Sequence, residues 1–182
     1  TVPAGTGGMS AVLGMEAEKI ETVLQDIPGA MIANYNCPGQ IVITGELTAL
    51  EKAGAALKTA GAKRVLPLKV SGPFHSSLME PAASKLKQEL LKVTISDLRI
   101  PYVSNVTAQK VTEKQEITAL LCEGIHSSVH WEQSVRYMIG QGIDTFVEIG
   151  PGRTLAGFMK KIDPAVAVKN VAVWEDVEKV VN

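Results

Sequence analysis

The sequence has few aromatic residues and almost no excess of charge of either sign. Aromatic residues make up 4% of its 182 residues, so the core must be built from aliphatic and methionine side chains. Eighteen basic and nineteen acidic residues leave a net charge of −1, which argues against a dedicated nucleic-acid-binding protein. No apolar run approaches the roughly 18 residues of a membrane-spanning helix. We therefore expect neither nucleic acid nor membrane as a partner.

Cysteine is equally scarce. Cys37 and Cys122 stand far apart and in no metal-binding spacing. This usage is typical of thiols in a cytoplasmic protein rather than of a disulfide framework, and no signal peptide is visible. A hydrophobic content of 46% with 20% charged residues excludes a disordered chain and predicts a globular protein with a substantial core.

Residues 1–69 alternate short apolar runs with helical periodicity. The pattern predicts strands near 8–14, 31–35, 40–44 and 63–70, and helices near 16–25 and 47–60. The turn signal Asn36-Cys37-Pro38-Gly39 joins the second strand to the third. The order β-α-β-β-α-β predicts a ferredoxin-like small subdomain.

Residues 70–182 have a different rhythm, in which strands and helices alternate and indicate a parallel sheet. Ser77 and Glu80 form a capping-box pattern before a predicted helix over 78–92. Further helices are predicted near 117–122, 132–139 and 154–162, and strands near 100–103, 144–149 and 171–174. Three strands are few for such a sheet, so we expect these residues to be part of a larger core.

One histidine lies where open parallel sheets place their ligands. His75 follows Ser71-Gly72-Pro73-Phe74, between a predicted strand and a predicted helix. A residue held there by rigid elements and facing solvent suits general-base work. The alternative is that His75 only closes the turn or packs beside Phe74. The residues alone favour the two interpretations equally.

A nucleophile to accompany His75 is hard to find. The sequence contains no GxSxG elbow, and Gly8-Met9-Ser10-Ala11 lies inside the first predicted strand and lacks the closing glycine. Cys37 and His75 would make a thiol pair, but no neighbouring cation lowers the thiol pKa in the Pro-Gly turn.

The remaining candidates are weaker. His126 and His130 are four residues apart, as in a helical metal pair, but two solvated side chains explain them better. The segment Glu148-Ile149-Gly150-Pro151-Gly152-Arg153 suggests a phosphate cradle, although a tight strand-to-helix turn is the better interpretation.

Three amide side chains lie near the second predicted turn, at Asn34, Asn36 and Gln40. Turn formation explains Asn36, but Asn34 and Gln40 have no such need. These amides are therefore candidates for contact with a polar ligand.

The stretches at 2–7, 9–12, 34–43, 70–79, 104–106, 129–131 and 146–152 together resemble a known family. They are similar to the malonyl-CoA:acyl carrier protein transacylases of bacterial fatty-acid synthesis, run in the same order and cover nearly the whole chain. The resemblance implies a ferredoxin-like subdomain, here 1–69, within an α/β-hydrolase-like core, here represented by 70–182.

The resemblance also implies a chemistry. A serine in a GHSxG elbow takes malonyl from coenzyme A and passes it to the phosphopantetheine thiol of acyl carrier protein, with no cofactor. His75 resembles the base that activates this serine, and the main-chain carbonyl of Gly124 would orient its ring. Phe74 matches a residue that accompanies malonyl selectivity, and Asn34, Asn36 and Gln40 resemble amides along the pantetheine arm.

Two departures from the family pattern carry weight. The elbow serine with its oxyanion donors, and the arginine that holds the malonyl carboxylate, both precede the segment that begins at Thr1. The chain therefore resembles a C-terminal portion, expected to be inactive alone and to need the N-terminal portion as a partner. An alternative is a non-catalytic module that binds acyl carrier protein or coenzyme A; a thiol hydrolase using Cys37 and His75 is a third.

Overall fold

The computed structural model describes residues 2–3 and 5–181. The chain forms two compact units, and the division between them falls between Ser134 and Val135. The sequence placed a different boundary, between residues 69 and 70, which separates two subdomains rather than these two units. That boundary stays a prediction.

The first unit begins with a four-stranded antiparallel sheet and two helices. The sheet order is β2-β3-β1-β4, the order of a ferredoxin-like fold, and it confirms the fold class predicted from the sequence. The elements are β1 (Gly7–Leu13), α1 (Ala17–Gln25), β2 (Ala30–Cys37), β3 (Gln40–Glu46), α2 (Leu47–Thr59) and β4 (Arg64–Pro67).

The core of this sheet follows from the period of its side chains. Val12 and Ile43 point toward the two helices and pack with Ile20 of α1 and Leu57 of α2, all fully buried. Alternate residues of a strand face opposite sides, so Val42 belongs to a second cluster on the other face. The β2–β3 turn contains only Pro38 and Gly39, and Gly39 adopts the positive φ of 72° that such a tight turn requires.

The rest of the first unit is shorter and less regular. A 3₁₀ turn (Ser77–Met79) leads into α3 (Glu80–Leu90), then β5 (Tyr102–Val103) pairs with β6 (Lys110–Val111), and α4 (Lys114–Glu123) follows. The predicted capping box is wrong, because α3 begins two residues later than expected and Ser77 lies in the 3₁₀ turn. Pro81 occupies the first turn of α3, where its missing N–H leaves no helical hydrogen bond unmade.

Helix α5 (Trp131–Gly140) crosses the division between the units. The second unit continues with β7 (Thr145–Ile149), α6 (Thr154–Ile162), β8 (Ala167–Val171), a 3₁₀ turn (Trp174–Asp176) and α7 (Val177–Val181).

Strands β7 and β8 pair in parallel, which agrees with the fold class predicted for this region. The strand predicted over 171–174 lies several residues earlier. Trp174 instead begins the 3₁₀ turn, where the Asp176 carboxylate accepts the backbone N–H groups of Ala172 and Val173. Among the described helices, none combines the length and the apolar character needed to cross a bilayer.

Candidate active site

His75 lies in the loop between β4 and α3, and its backbone adopts a left-handed conformation with φ of 58°. Its Nδ1 atom is 3.0 Å from the carbonyl oxygen of Gly124. Because a carbonyl oxygen only accepts, this contact requires the proton on Nδ1 and leaves the lone pair on Nε2. The residue as a whole is half-buried.

The carbonyl that meets this ring belongs to the end of a helix. Gly124 is the C-cap of α4, and its N–H donates to the carbonyl of Leu120 at 2.9 Å. The last carbonyls of a helix have no intrahelical donor, so the Gly124 oxygen is available to a side chain. The structure therefore brings His75 and Gly124 together; their catalytic roles stay predictions.

The segment after Gly124 lies along strand β2. Ser128 Oγ donates to the Ile32 carbonyl at 2.6 Å, and the Val129 N–H donates to the Ala33 carbonyl at 2.7 Å. Tyr35 returns a hydrogen bond from its N–H to the Val129 carbonyl at 2.9 Å. These bonds hold the segment that follows Gly124 on the strand that carries Asn34 and Asn36.

The three amides are placed on one hairpin. Asn34 and Asn36 lie on β2 and Gln40 begins β3, and all three residues are half-buried. The β2–β3 register shifts twice, between Ile32 and Asn34 and again between Tyr35 and Cys37. Such bulges redirect side chains, which strict alternation along the strand does not predict. The role of these amides stays a prediction.

Phe74, the candidate for acyl selectivity, is 40% exposed beside His75 in sequence. Neither alternative nucleophile is accessible. Cys37 is a thiol but is fully buried, and Ser10 is buried within β1. A substrate cannot reach either atom without opening the sheet, which argues against the pair of Cys37 and His75.

His126 and His130 do not share a helix face, because α4 ends at Glu123 and α5 begins at Trp131. In the described part of the chain, no cluster of three or more histidine, cysteine or acidic side chains is suited to a metal ion. The His130 ring instead stacks on Tyr35, with centroids 4.9 Å apart and planes 13° apart. Burial lowers the pKa of His130, although Glu21 nearby acts in the opposite direction.

This stack was not predicted from the sequence, which suggested a solvated His130. The Tyr35 hydroxyl donates to Glu21 Oε1 at 2.7 Å. Burial and then this bond raise the pKa of Tyr35 well above its usual value. The two rings are 95 residues apart in sequence, and no local pattern connects them.

A cavity of about 410 Å³ lies beside these elements. Glu123 and Ser77 line it, and they are the sequence neighbours of Gly124 and of Ser76, which follows His75; His126 and His130 also contribute. The His75 ring does not line this cavity. The cavity therefore borders residues that adjoin Gly124 and Ser76 in sequence, and not the His75 ring.

The turn after β7, considered above as a phosphate cradle, is occupied by a carboxylate of the chain itself, that of Glu148. Glu148 accepts the N–H groups of Leu155 and Ala156 at 3.0 and 2.9 Å, and Asn170 Nδ2 at 2.9 Å. Burial raises the pKa of this carboxyl, but the three hydrogen bonds outweigh it and hold the pKa below its usual value. These N–H groups belong to the first turn of α6, so the turn holds a carboxylate instead of a phosphate.

Comparison with known proteins gives a consistent result. The acyl transferase domain family matches residues 2–174. A malonyl CoA-acyl carrier protein transacylase of Bacillus subtilis is 45% identical over 181 residues, which cover 97% of this chain and 57% of that protein.

Solved structures agree. An acyl carrier protein S-malonyltransferase from Vibrio cholerae matches with a TM-score of 0.95 and 38% identity, over 98% of this chain and 60% of that one. A malonyl-transacylase in complex with its type II PKS acyl-carrier protein matches with a TM-score of 0.93 and 36% identity, over 98% and 59%. The chain thus spans less than two thirds of these relatives, and by the match of residues 2–174 it belongs to the acyl transferase domain family.

Proposed function

We propose that the chain is the base-bearing part of an acyltransferase that moves malonyl from coenzyme A to acyl carrier protein in fatty-acid synthesis. The observation that carries the proposal is the contact of 3.0 Å between His75 Nδ1 and the Gly124 carbonyl, which leaves Nε2 as a proton acceptor. Membership in the acyl transferase domain family supports the reaction class, and the names of the relatives support malonyl as the group.

The first half-reaction uses a serine from outside the 182 residues. Its hydroxyl proton passes to His75 Nε2 while Oγ bonds to the malonyl thioester carbon. The carbon–sulfur bond then breaks, and the imidazolium returns the proton to the coenzyme A thiolate. In the second half, the carrier-protein thiol gives its proton to Nε2 and attacks the seryl ester, and the proton returns to the serine oxygen.

The other predicted site residues contact substrate in this proposal. Phe74 restricts the space beside the acyl group, and Asn34, Asn36 and Gln40 pair with the amides of the pantetheine arm. The reaction needs no cofactor, because malonyl passes between two thiols through a serine ester with proton transfers alone and no change of oxidation state. We also propose a cytoplasmic location, which the low cysteine content, with no disulfide framework in the sequence, supports.

The test replaces His75 by alanine in the whole protein that contains this chain together with a GHSxG serine. We expect malonyl transfer to fall by about 10²- to 10⁴-fold, the usual contribution of a general acid–base. His126→Ala is the matched control, since it removes a nearby histidine to which the proposal gives no role. Near-normal turnover of the His75→Ala protein would contradict the proposal.

A second candidate is a non-catalytic module that binds acyl carrier protein or coenzyme A. It is favoured by one fact, that the 182 residues contain no GHSxG. Mass spectrometry after incubation with malonyl-CoA, combined with a carrier-protein binding titration, separates the two. Tight binding by a natural protein that never becomes acylated would support the module.

A further inference from the structure

The loop that carries His75 is held in an unusual backbone conformation. Within residues 2–3 and 5–181, only His75 and Ala108 are non-glycine residues with a positive φ. Side chains with a Cβ atom avoid this region, so it persists only where neighbouring contacts impose it. The contacts that impose it on His75 are therefore of functional interest.

One of these contacts comes from the next residue. Ser76 is only 2% exposed, and its hydroxyl donates to the carbonyl of Pro73 at 2.6 Å. The bond spans His75 and Phe74 and closes the loop into a tight ring. A hydroxyl buried in this way has no water to replace its partner, so opening the loop leaves a buried donor unsatisfied.

Pro73, at the other end of this bond, is anchored in the sheet. It is fully buried, and a Cβ atom on Gly7 of β1 would lie 2.8 Å from its Cβ. Gly7 therefore allows the proline ring to approach the strand backbone closely. On the far side, the Met79 N–H donates to the Ser76 carbonyl at 2.9 Å and connects the loop to the turn before α3.

We propose that Ser76 is the positioning residue of the site: its hydroxyl bond to Pro73 holds His75 in the left-handed conformation that directs Nδ1 at Gly124. This inference rests on the proposed role of His75 and adds the element that sets its tautomer. Ser76 does not touch the reacting atoms. It acts by holding the His75 ring in place, because displacing a catalytic group by about 1 Å lowers the rate on the order of 10²-fold.

The primary test measures the ring and the backbone rather than the rate. In the ¹⁵N-labelled whole protein that contains this chain, the ring-nitrogen shifts of His75 report which nitrogen carries the proton. A strong intraresidue contact between amide and α-proton in nuclear Overhauser spectra reports a positive φ. In Ser76→Ala we expect both signatures to be lost, with a mixture of tautomers in place of the Nδ1–H form.

The matched control is Ser134→Ala. Ser134 is also a buried serine, and its hydroxyl donates to the His130 carbonyl at 2.7 Å. It therefore reproduces the loss of a buried hydroxyl bond without touching the His75 loop, and we expect both signatures to remain. Ser76→Cys fills the site with a somewhat larger thiol that is only a weak donor, so it reports on the bond if the alanine variant does not fold.

The outcomes separate this inference from the proposed function. If Ser76→Ala or Ser76→Cys folds and retains the positive φ and the Nδ1–H tautomer, the positioning role of Ser76 is overturned even if His75→Ala abolishes transfer. In the whole enzyme we expect kcat of Ser76→Ala to fall by about 10- to 100-fold with KM for malonyl-CoA little changed. An active His75→Ala enzyme would instead remove the proposed function.

Discussion

The two sheets of this chain hold their strands in different ways. In the first unit, five consecutive residues of β3 are buried, Ile41 through Gly45. In the second unit, no residue of β7 or β8 is buried, and Ile149 at the end of β7 is 79% exposed. The first sheet has apolar cover on both faces of its central strand, whereas within these 182 residues the second is a pair of strands with an exposed face.

The second sheet relies more on polar contacts. Glu148 joins β7 to the first turn of α6 and to Asn170 of β8 through three hydrogen bonds. A carboxylate at a helix N-terminus meets unpaired N–H groups and the positive end of the helix dipole. Within these 182 residues, apolar burial fixes the strands of the first unit, whereas the charged side chain of Glu148 helps to organise those of the second.

Substitution of two isoleucines should give the largest difference in stability between the two sheets. Ile43 of β3 is 0% exposed and Ile149 of β7 is 79% exposed, so the same substitution has different consequences. We expect Ile43→Ala to cost about 2–5 kcal/mol of unfolding free energy, since it leaves a cavity in packed surroundings. Ile149→Ala should change it by less than about 0.5 kcal/mol.

Urea denaturation gives the unfolding free energies of both variants. Hydrogen exchange of individual peptides, followed by mass spectrometry, shows in which unit the stability is lost. Similar losses for the two variants would contradict the contrast, because they would mean that Ile149 is covered in solution.

The same contrast explains how far the sequence predicted the fold. The continuous apolar run around Ile43 and the helical period through Leu57 predicted the first sheet and its helices, because a strand covered on both faces is apolar throughout and a helix covered on one face repeats its apolar residues every three to four positions. The two-residue strand β6 and the displaced β8 were missed, since neither has enough alternating residues to form a pattern. The predicted capping box failed for a related reason, because Pro81 and the 3₁₀ turn determine where α3 begins.

For the candidate site, motif order pointed to His75 and Gly124, which are 49 residues apart and which the structure brings to 3.0 Å. The left-handed backbone of His75 and the buried Ser76 bond were not predicted, because a positive φ is expected of glycine rather than histidine. The stack of Tyr35 on His130 was missed because it depends on the long-range pairing of residues 128–130 with β2.

A smaller effect should follow from the carboxylate of the second unit. Glu148→Gln keeps the shape but presents an NH₂ group to one of the donors, so at least one hydrogen bond to a charged acceptor is lost. We expect a loss of about 1–2 kcal/mol, near the lower end for such bonds because the residue is partly exposed. Chemical denaturation of Glu148→Gln and of the control Glu175→Gln, an exposed residue in the same unit, measures the difference.

The pH dependence of this loss has a definite sign. The pKa of Glu148 is lower in the folded chain than its ordinary value of 4.5, so the unfolded chain binds more protons in that range. Its stabilisation is present above pH 4.5 and disappears as the pH falls through the folded pKa. If Glu148→Gln loses as much stability at pH 3 as at pH 7, the charged cap is not what organises the second sheet.

The smallest expected change in stability concerns the first unit, where the His130 ring lies against Tyr35 of the sheet. His130 stacks on Tyr35, whose hydroxyl meets Glu21, and burial lowers the pKa of His130 below its ordinary 6.5. The unfolded chain therefore binds more protons just below pH 6.5, and stability falls as the pH decreases through this range. We expect His130→Phe, which retains a stacking ring, to reduce that fall.

His126→Phe serves as the control, because it leaves the stack of His130 on Tyr35 intact and should preserve the fall in stability. Unfolding free energies measured at pH 7.5 and at pH 5.5 suffice for the comparison. If His130→Phe and the unsubstituted chain lose equal stability between these two values, His130 is as accessible to protons in the folded chain as in the unfolded one. The first sheet would then resemble the second, with an open edge along β2 where burial has been inferred.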